Sequence, residues 1–359
     1  MTRLSAPPDV QEAARRRSEA RAAQDWASAD ALRAEIEAAG WKVVDSGTSY
    51  RLEPGSPADV EVGGEIRYGR SDAVPSRLDE PAMGLASVVI VVSPDAQETL
   101  AALRGLRAAA PLGVDVVLVA DGLSDRTLEP MRADLAAPAD AGEGTTPVEL
   151  IRTSAVLGQG AALNIGVRRA SAPIVIALDP SITPTGDVVT PLVAALDDSA
   201  TAIAGPFGLA SGDLRRFDEV VPTAEGGPVD VAAVQGYLMA FRRADAARLG
   251  PLDEGFRFYR NLDIWWSLVL RDGEEVDDPG QDEPVPPRRA VAVPGLPLDR
   301  HEPHAWQNTL RAERDRLSKR NFYRILDRFR DRTDLAVVGA GSKVQTKSDG
   351  GARLEVRAR

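Results

Sequence analysis

The apolar and polar positions at the start of the chain predict two helices followed by a β-hairpin. Residues 8–39 place their apolar side chains at helical spacing, and Asp25 stands where a second helix needs an N-cap. Residues 41–52 contain two short strand-like stretches around an Asp-Ser-Gly turn, which is typical of a hairpin. Residues 1–55 are therefore predicted to form a small helical and β-hairpin module.

The pattern changes at residue 85, after a segment that reads as a linker. Residues 56–84 are rich in proline, glycine, serine and charge, with one weak strand signal near 60–66. Beyond them, apolar runs of strand length alternate with amphipathic stretches of helix length. Strands are predicted at 87–92, 114–120, 148–153, 174–178 and 200–205, and helices at 97–110, 161–170, 188–196 and 308–332.

This alternation indicates the fold class of the larger domain. Strands that alternate with helices form a mostly parallel sheet with helices on both faces, so residues 85–335 are predicted to be an α/β domain. The acidic, proline-rich stretch at 272–298 is predicted to be a mobile loop, and residues 336–359 a disordered tail.

The clearest candidate site follows the uninterrupted apolar run at 174–178. Such a run suits a strand buried on both faces, and Asp179 comes directly after it. Ligands of open α/β sheets bind beyond the carboxyl ends of the strands. Asp179 is therefore expected to meet a phosphate-bound metal or a sugar hydroxyl, although it could merely end the strand. Upstream, Gly158 and Asn164 belong to a helix whose small residues allow close backbone approach.

Composition narrows the function classes. The 359 residues carry a net charge of -11, which argues against nucleic acid as the main partner because phosphate recognition needs a basic face. The absence of cysteine excludes disulfides, thiolate zinc sites and cysteine nucleophiles, and it fits a cytoplasmic protein. No apolar run approaches the length of a membrane span, and the N-terminus lacks a signal pattern.

Six segments together resemble the family 2 glycosyltransferases. They are SVVIVV at 87–92, ADGLSD at 120–125, GQGAALNIGVRRA to IALDPSITP at 158–184, VQGYLMAFRR at 234–243, LGPLDEGFRFYRNLDIWW at 249–266 and SKRNFYRILDRF at 318–329. The resemblance implies a glycosyltransferase A-type domain that moves a sugar from a nucleotide-diphospho-sugar to an acceptor hydroxyl, with inversion. The acceptor class, whether glycan, lipid or protein, stays open.

The resemblance also implies donor-site roles. Asp121 and Asp125 match the acidic positions that contact the nucleotide base. Asp179 matches the first residue of the Asp-x-Asp pair that holds a divalent cation on the diphosphate, but Ser181 stands in the second position. Mn²⁺ or Mg²⁺ is therefore expected only with weak ligation by Asp179. His301 matches a histidine often found near the diphosphate and is a second weak candidate ligand.

The acceptor side is implied by two further segments. Gln235 and Gly236 match residues that line the donor and acceptor sites. Asn261 stands where the family has its catalytic base, and an amide cannot take a proton. Asp263, two residues later, is the remaining candidate base. The adjacent residues Trp265 and Trp266 are expected to line the acceptor site, or at least one of them is expected to belong to the core.

Two basic or helical segments have competing interpretations. Residues 311–332 hold nine basic and four acidic side chains, which favours a solvated face over a phosphate-facing stripe. Residues 15–54 resemble the helical element at the C-terminal end of cysteinyl-tRNA synthetases, which implies a reused docking module.

Alternatives to catalysis are a non-catalytic nucleotide-sugar-binding or protein-interaction relative, supported by Ser181 and Asn261, and an RNA-linked factor acting through residues 1–55.

Overall fold

The computed structural model describes residues 6–47, 49–55, 57–135, 146–223, 226–273, 287–302 and 309–338. Within these ranges no helix has the length and apolarity needed to cross a membrane.

The N-terminal residues form a module with a core of its own. Its elements are α1 Pro8–Ala22, α2 Trp26–Ala38, β1 Trp41–Ser46 and β2 Ser49–Pro54. Asp25 caps α2 by accepting the Ser28 N–H at 3.1 Å. The two helices pack on the hairpin through buried apolar residues that form a cluster separate from the rest of the protein. Arg17, buried beneath the hairpin, donates two hydrogen bonds of 2.9 Å to the Asp45 carboxylate.

The larger domain is built on one ten-stranded sheet. Its strand order is β13-β16-β10-β15-β8-β5-β6-β7-β4-β3. The strands are β3 Val60–Val62, β4 Glu65–Tyr68, β5 Ala86–Val91, β6 Val114–Ala120, β7 Val148–Thr153, β8 Ile174–Leu178, β10 Thr201–Gly205, β13 Val229–Val231, β15 Leu238–Arg242 and β16 Arg289–Ala292. The central run from β8 to β4 is parallel, whereas β15 is antiparallel to both of its neighbours.

Helices cover both faces of this sheet, as predicted. Alternate residues of β5 enter two different cores, since Val89 belongs to one and its neighbours Val88 and Ile90 to the other. The helices are α3 Ala96–Ala109, α4 Asp125–Leu128, α5 Arg132–Leu135, α6 Gln159–Arg169, α7 Val189–Ala195, α8 Arg243–Arg248, α9 Leu262–Asp272 and α10 Arg311–Phe329. Small strands complete the fold: β9 Ile182–Pro184, β11 Gly208–Ala210, β12 Asp218–Val220, β14 Ala233–Val234 and β17 Leu298–Arg300.

The interpretation of residues 56–84 as a linker needs correction. β3 and β4 extend the main sheet, because β4 runs parallel to β7 with Arg67 opposite Arg152 and Tyr68 opposite Thr153. Both strands are short and lie largely on the surface, so their apolar signal in the sequence is weak. Arg243 fastens the rest of the segment to the domain by donating to the carbonyl oxygens of Arg77 and Ala170 at 3.0 and 3.1 Å.

The predicted mobile loop at 272–298 also differs from the structure. α9 extends to Asp272, and β16 pairs with β10 inside the main sheet. The loop residues 274–286 lie outside the described part of the chain. The predicted tail falls almost wholly outside it as well, and its described start is held by a β-bridge between Ser211 and Val337.

Candidate functional site

A cavity of about 280 Å³ opens beyond the carboxyl ends of β5, β6 and β8. This is where the sheet of an open α/β fold binds its ligands. Two of the predicted aspartates, Asp121 and Asp179, line it together with Gly158 and Gly236. Its walls also include residues that were not predicted: Glu98, Val156, Arg257 and Tyr259.

Asp121 ends β6 and holds the turn that begins α6. Its Oδ1 accepts the Leu157 N–H at 2.7 Å and the Thr153 hydroxyl at 3.0 Å, and its Oδ2 accepts the Gly158 N–H at 2.9 Å. Burial raises the pKa of this carboxyl, and the two backbone N–H bonds oppose the rise. A carboxylate has about four acceptor positions, so Asp121 keeps one for a ligand in the cavity.

Asp125 does not join this site. It begins the short helix α4 with an exposed side chain and forms ion pairs with Arg67 at 2.8 Å and with Arg152 at 2.5 Å. Hydrogen bonds from Arg152 and then Arg67 hold the pKa of Asp125 below its usual range. The carboxylate is thus directed to the sheet edge formed by β4 and β7, and the predicted contact with a nucleotide base is not supported by its position.

Gly158 and Asn164 shape the cavity wall in different ways. Gly158 has a φ of +105° and precedes α6, and a Cβ at this position would lie 2.7 Å from the Arg257 Cα. Glycine is therefore required both by conformation and by space. Asn164 is buried and exchanges hydrogen bonds with the Leu252 backbone at 2.8 and 2.9 Å. It fixes the segment that contains Arg257 and is not among the residues that line the cavity.

Asp179 and Ser181 form a closed pair at the end of β8. The Asp179 Oδ1 accepts both the Ser181 N–H, at 2.9 Å, and the Ser181 hydroxyl. Burial raises the pKa of the Asp179 carboxyl, and the nearby Glu98 charge adds to the rise, while Ser181 opposes it. Ser181 is itself buried, and its hydroxyl donates its hydrogen bond to Asp179.

The residues around Asp179 do not make a complete metal site. The described part of the chain contains no group of three or more histidine, aspartate or glutamate side chains that could hold an ion. Hard divalent cations prefer several carboxylate oxygens, and here one oxygen of Asp179 is already bonded to Ser181. His301 lies beside the pair, since its backbone N–H donates to the Ser181 carbonyl oxygen at 2.8 Å, but its side chain is exposed.

Asp263 lies behind the glycine that lines the cavity. Its Oδ2 accepts the Gly236 N–H at 2.8 Å, and its Oδ1 accepts the Ile264 N–H at 2.9 Å. A Cβ on Gly236 would lie 3.2 Å from the Asp263 Cβ, so glycine permits this close approach. Burial raises the pKa of Asp263, which is the direction a general base needs. The neighbouring Gln235 instead donates its side-chain N–H to the Gly208 carbonyl at 3.3 Å.

Asn261 joins two helices. It begins α9 in the left-handed region, with a φ of 69°, and its amide donates to the Ser318 carbonyl oxygen of α10 at 2.9 Å. Asparagine tolerates this conformation better than most residues. The amide is thus used as a hydrogen-bond donor, a role that an aspartate could not fill.

Replacing Asn261 with aspartate is expected to destabilise the fold and to leave activity no higher. The change removes the donor and places a carboxylate against a carbonyl oxygen, which costs about 1–3 kcal/mol in unfolding free energy. Asn261→Gly is the matched control, because it keeps the left-handed conformation and loses only the hydrogen bond. Denaturant unfolding measures both variants. An Asn261→Asp protein that is as stable as the wild type and more active would restore position 261 as the base position.

The structure buries both Trp265 and Trp266, as expected for at least one of them, and neither is among the residues that line the cavity beyond β5, β6 and β8. Trp266 is fully buried and packs edge-on against Phe241 at a centroid distance of 5.5 Å. Trp265 is 7% exposed and contacts Phe256, with its ring 5.7 Å away. Both belong to the core between the sheet and α9. Neighbouring helix residues are buried together here because α9 is enclosed on nearly all sides.

A second cavity of about 400 Å³ lies near β17 and is lined by prolines, aliphatic residues, Phe207 and Arg300. The Arg300 guanidinium lies 4.6 Å from the Phe207 ring centroid and 5.0 Å from that of Tyr237. No carboxylate is among the described residues of its lining. Of these two cavities, the first is the one that carboxylates line.

Comparison with known families finds a match for the segment that contains Asp121 and Asp179. Residues 87–237 match the model of glycosyl transferase family 2. This match confirms the resemblance seen in the sequence over the segment that includes Asp121, Asp179 and Gly236. Asn261, Asp263 and His301 lie beyond it.

Solved structures share the fold. The crystal structure of GalNAc-T7 with UDP, GalNAc and Mn²⁺ superposes with a TM-score of 0.54 at 17% identity, over 70% of this chain and 49% of that chain. The chain thus spans about half the length of this relative, and the likeness shows a common α/β fold. A mannosyltransferase from Pyrobaculum calidifontis, solved with GDP-Man and Mn²⁺, aligns at a TM-score of 0.46 and 16% identity, over 73% of this chain and 71% of that chain.

The N-terminal module has a separate relative. A cysteine–tRNA ligase of Opitutus terrae is 50% identical over 48 residues, which are 13% of this chain and 10% of that protein. The match is short, and it supports a shared element rather than a shared activity.

Proposed function

We propose that this protein transfers a sugar from a nucleotide-diphospho-sugar donor to an acceptor hydroxyl, with inversion, and that the cavity beyond β5, β6 and β8 is the donor site. One observation carries the proposal. Asp121 and Asp179 come from strands on either side of β5, both line this cavity, and both lie inside the family-matched segment. A nucleotide can therefore extend along the strand ends between two carboxylates.

The two carboxylates suit different parts of a donor. The position that Asp121 leaves open can accept an N–H of a uracil or guanine base, with Val156 and Leu123 as apolar walls. Asp179 follows β8, two strands away from Asp121, and its backbone N–H donates to the Tyr237 carbonyl oxygen next to Gly236, so it suits the ribose or diphosphate part. The donor role predicted for Asp125 is not part of this proposal.

Asp263 is proposed as the general base. An inverting transfer needs a carboxylate that removes the proton of the acceptor hydroxyl as the sugar carbon is attacked. Asp263 accepts the N–H of Gly236, which lines the cavity, and burial raises the pKa of Asp263 toward a value useful for proton transfer. The raised pKa predicts that turnover falls when the pH is lowered through it, because only the ionised form is a base.

Removal of divalent metal is expected to weaken donor binding only modestly, by less than about tenfold. Asp179 lacks a second carboxylate partner, so little affinity can depend on an ion held by the protein. Isothermal titration of the donor in EDTA and then in Mn²⁺ measures the effect, with Mg²⁺ as the comparison ion. Complete loss of binding in EDTA would show a metal site that this arrangement does not reveal.

A thermal-shift screen of nucleotide-sugars tests the proposal broadly. A true donor at a concentration of about 100 times its Kd should add about 2.7 kcal/mol to the unfolding free energy. The same screen addresses the non-catalytic alternative, which is favoured by Ser181 and Asn261 in place of acidic residues. Tight donor binding without transfer to any acceptor would support that alternative.

The N-terminal module has its own candidate role as a docking element. Its support is the short match to the tRNA ligase and its separate core. An RNA-linked role would require tRNA binding by the full chain that is lost when the module's exposed arginines are replaced. Absence of tRNA binding would leave docking to another macromolecule as the remaining role.

A further inference from the structure

A cationic surface lies at one side of the donor cavity in a chain that is acidic overall. α10 carries seven basic and three acidic side chains, whereas the whole chain has a net charge of -11. The loop 253–257 lies under this helix. The Arg324 guanidinium packs so closely on Gly255 that a Cβ there would lie 2.2 Å from its Cζ.

Most arginines of this surface are neutralised by a carboxylate. Arg324 donates to Asp253 at 2.7 Å, and Arg316 pairs with Glu313 at 2.6 Å on the same helix. The first pair joins the helix to the loop, and the second lies within the helix. Their charges are therefore compensated within the protein.

Arg257 and Arg320 differ from these neighbours. Arg257 lines the donor cavity and donates to the Val156 carbonyl oxygen at 3.0 Å. Arg320 reaches the Gly255 carbonyl oxygen at 3.4 Å, two residues before Arg257. Neither forms an ion pair with any carboxylate in the described part of the chain, and both side chains are exposed.

The positive charge of Arg257 also affects the pKa of Arg320. Desolvation of its guanidinium, followed by the charges of Arg324, Arg316 and Arg257, lowers the pKa of Arg320, and the charge of Glu313 opposes this shift. The bond to the Gly255 carbonyl oxygen holds Arg320 at the loop that carries Arg257, and neither guanidinium group has a carboxylate within ion-pair distance in the described part of the chain, so an anion between them would relieve their repulsion. Guanidinium groups bind phosphoryl oxygens with paired, charge-assisted hydrogen bonds.

We infer that Arg257 and Arg320 form a phosphoryl-binding site at the rim of the donor cavity. The inference rests on the proposed function for the identity of its ligand. The shared chemistry is a phosphate or diphosphate group, which comes either from the donor's diphosphate or from an anionic acceptor. If the ligand is the donor's diphosphate, the arginines supply positive charge that would otherwise come from a metal ion, which the Asp179–Ser181 pair is not equipped to hold.

Isothermal titration of the full chain with inorganic pyrophosphate, uridine, UDP, guanosine and GDP tests the site. The test variant is Arg257→Gln/Arg320→Gln, and the matched control is Arg311→Gln/Arg330→Gln, which removes the same charge at the two ends of α10. The test variant should lose about tenfold or more in affinity for pyrophosphate and for the matching nucleoside diphosphate, while affinity for the nucleoside stays the same. The control should stay within about twofold of the wild type.

Competition separates the two sources of phosphate. If saturating nucleoside diphosphate displaces pyrophosphate, the site holds the donor's diphosphate. If pyrophosphate still binds the wild type in the presence of saturating nucleoside diphosphate, and does not bind the test variant, the site serves an anionic acceptor. Pyrophosphate that fails to bind the wild type at millimolar concentration, or binds both variants equally, overturns the inference. Pyrophosphate binding without any nucleotide binding would instead contradict the proposed function and leave the anion site intact. Thermal unfolding confirms that both variants are folded.

Discussion

Replacing Asp263 with asparagine is expected to slow sugar transfer by about 10²–10⁴-fold while donor affinity stays within about twofold. Asparagine keeps the shape of the side chain and an oxygen that can accept the Gly236 N–H, and its NH₂ group then faces the Ile264 N–H, but it cannot take a proton from the acceptor. The loss should therefore appear in kcat and not in the dissociation constant of the donor. Release of nucleoside diphosphate from the donor, measured with and without acceptor, follows the reaction.

Asp187→Asn is the matched control for this experiment. Asp187 accepts the backbone N–H groups of Val189 and Thr190 at the start of α7 and does not line the cavity, so Asp187→Asn should retain turnover. The wild type should lose turnover toward acid pH through the raised pKa of Asp263, whereas any residual rate of Asp263→Asn should not follow that titration. Unchanged kcat in Asp263→Asn would remove this residue as the base.

Replacing Asp121 with asparagine is expected to weaken donor binding by about 5- to 150-fold, because about 1–3 kcal/mol of hydrogen bonding is lost. Both carboxylate oxygens accept backbone N–H groups, from Leu157 and Gly158, and an amide must present an NH₂ group to one of them. The Asp121 turn should loosen, and the contact with the base should weaken with it. Titration calorimetry and thermal unfolding give the two effects separately.

Asp125→Asn is the control for this experiment. Asp125 is acidic, four residues away and exposed, and its partners are Arg67 and Arg152 at the sheet edge. Its replacement should leave donor affinity within about twofold. If Asp125→Asn lowers the affinity and Asp121→Asn does not, the assignment of the base contact to Asp121 is wrong.

The sequence predicts the sheet well where strands are buried on both faces. The apolar runs at 114–120, 148–153 and 174–178 become β6, β7 and β8 with little change in their ends. Burial of most side chains on both faces leaves a local signal that periodicity can detect. β3 and β4 leave no such signal, because they are short strands with exposed residues at the edge of the sheet.

The candidate site is predictable only in part, because much of it depends on contacts between distant residues. Asp121 and Asp179 follow apolar strands, and so their place at the strand ends can be read from the sequence. Asp125 is turned away by Arg67, which lies 58 residues earlier on a strand that was predicted to be linker. Arg257 and Tyr259 were missed since their loop is positioned by α10, where Asn321 donates to the Phe258 and Arg260 carbonyl oxygens.

The tryptophan pair shows the limit of helical periodicity. Adjacent residues on a helix point in different directions, which suggested that one ring would face a ligand. α9 is instead surrounded by the sheet on one side and by the C-terminal segment on the other, where the buried Arg271 donates to the Ala232 and Leu335 carbonyl oxygens. How many faces of a helix are covered depends on the tertiary fold, and no local pattern records it.

The most direct test of the donor site is titration of a panel of UDP- and GDP-sugars into the wild type, Val156→Trp and Val221→Trp. Val156 and Val221 are exposed to nearly the same extent, 62% and 61%, but the first lines the cavity with Asp121 and Asp179 and the second lines the other cavity. We predict that at least one nucleotide-sugar binds the wild type, that Val156→Trp weakens it by about tenfold or more, and that Val221→Trp binds like the wild type. Binding that is insensitive to Val156→Trp but lost in Val221→Trp, or no binding by any member of the panel, would contradict the assignment.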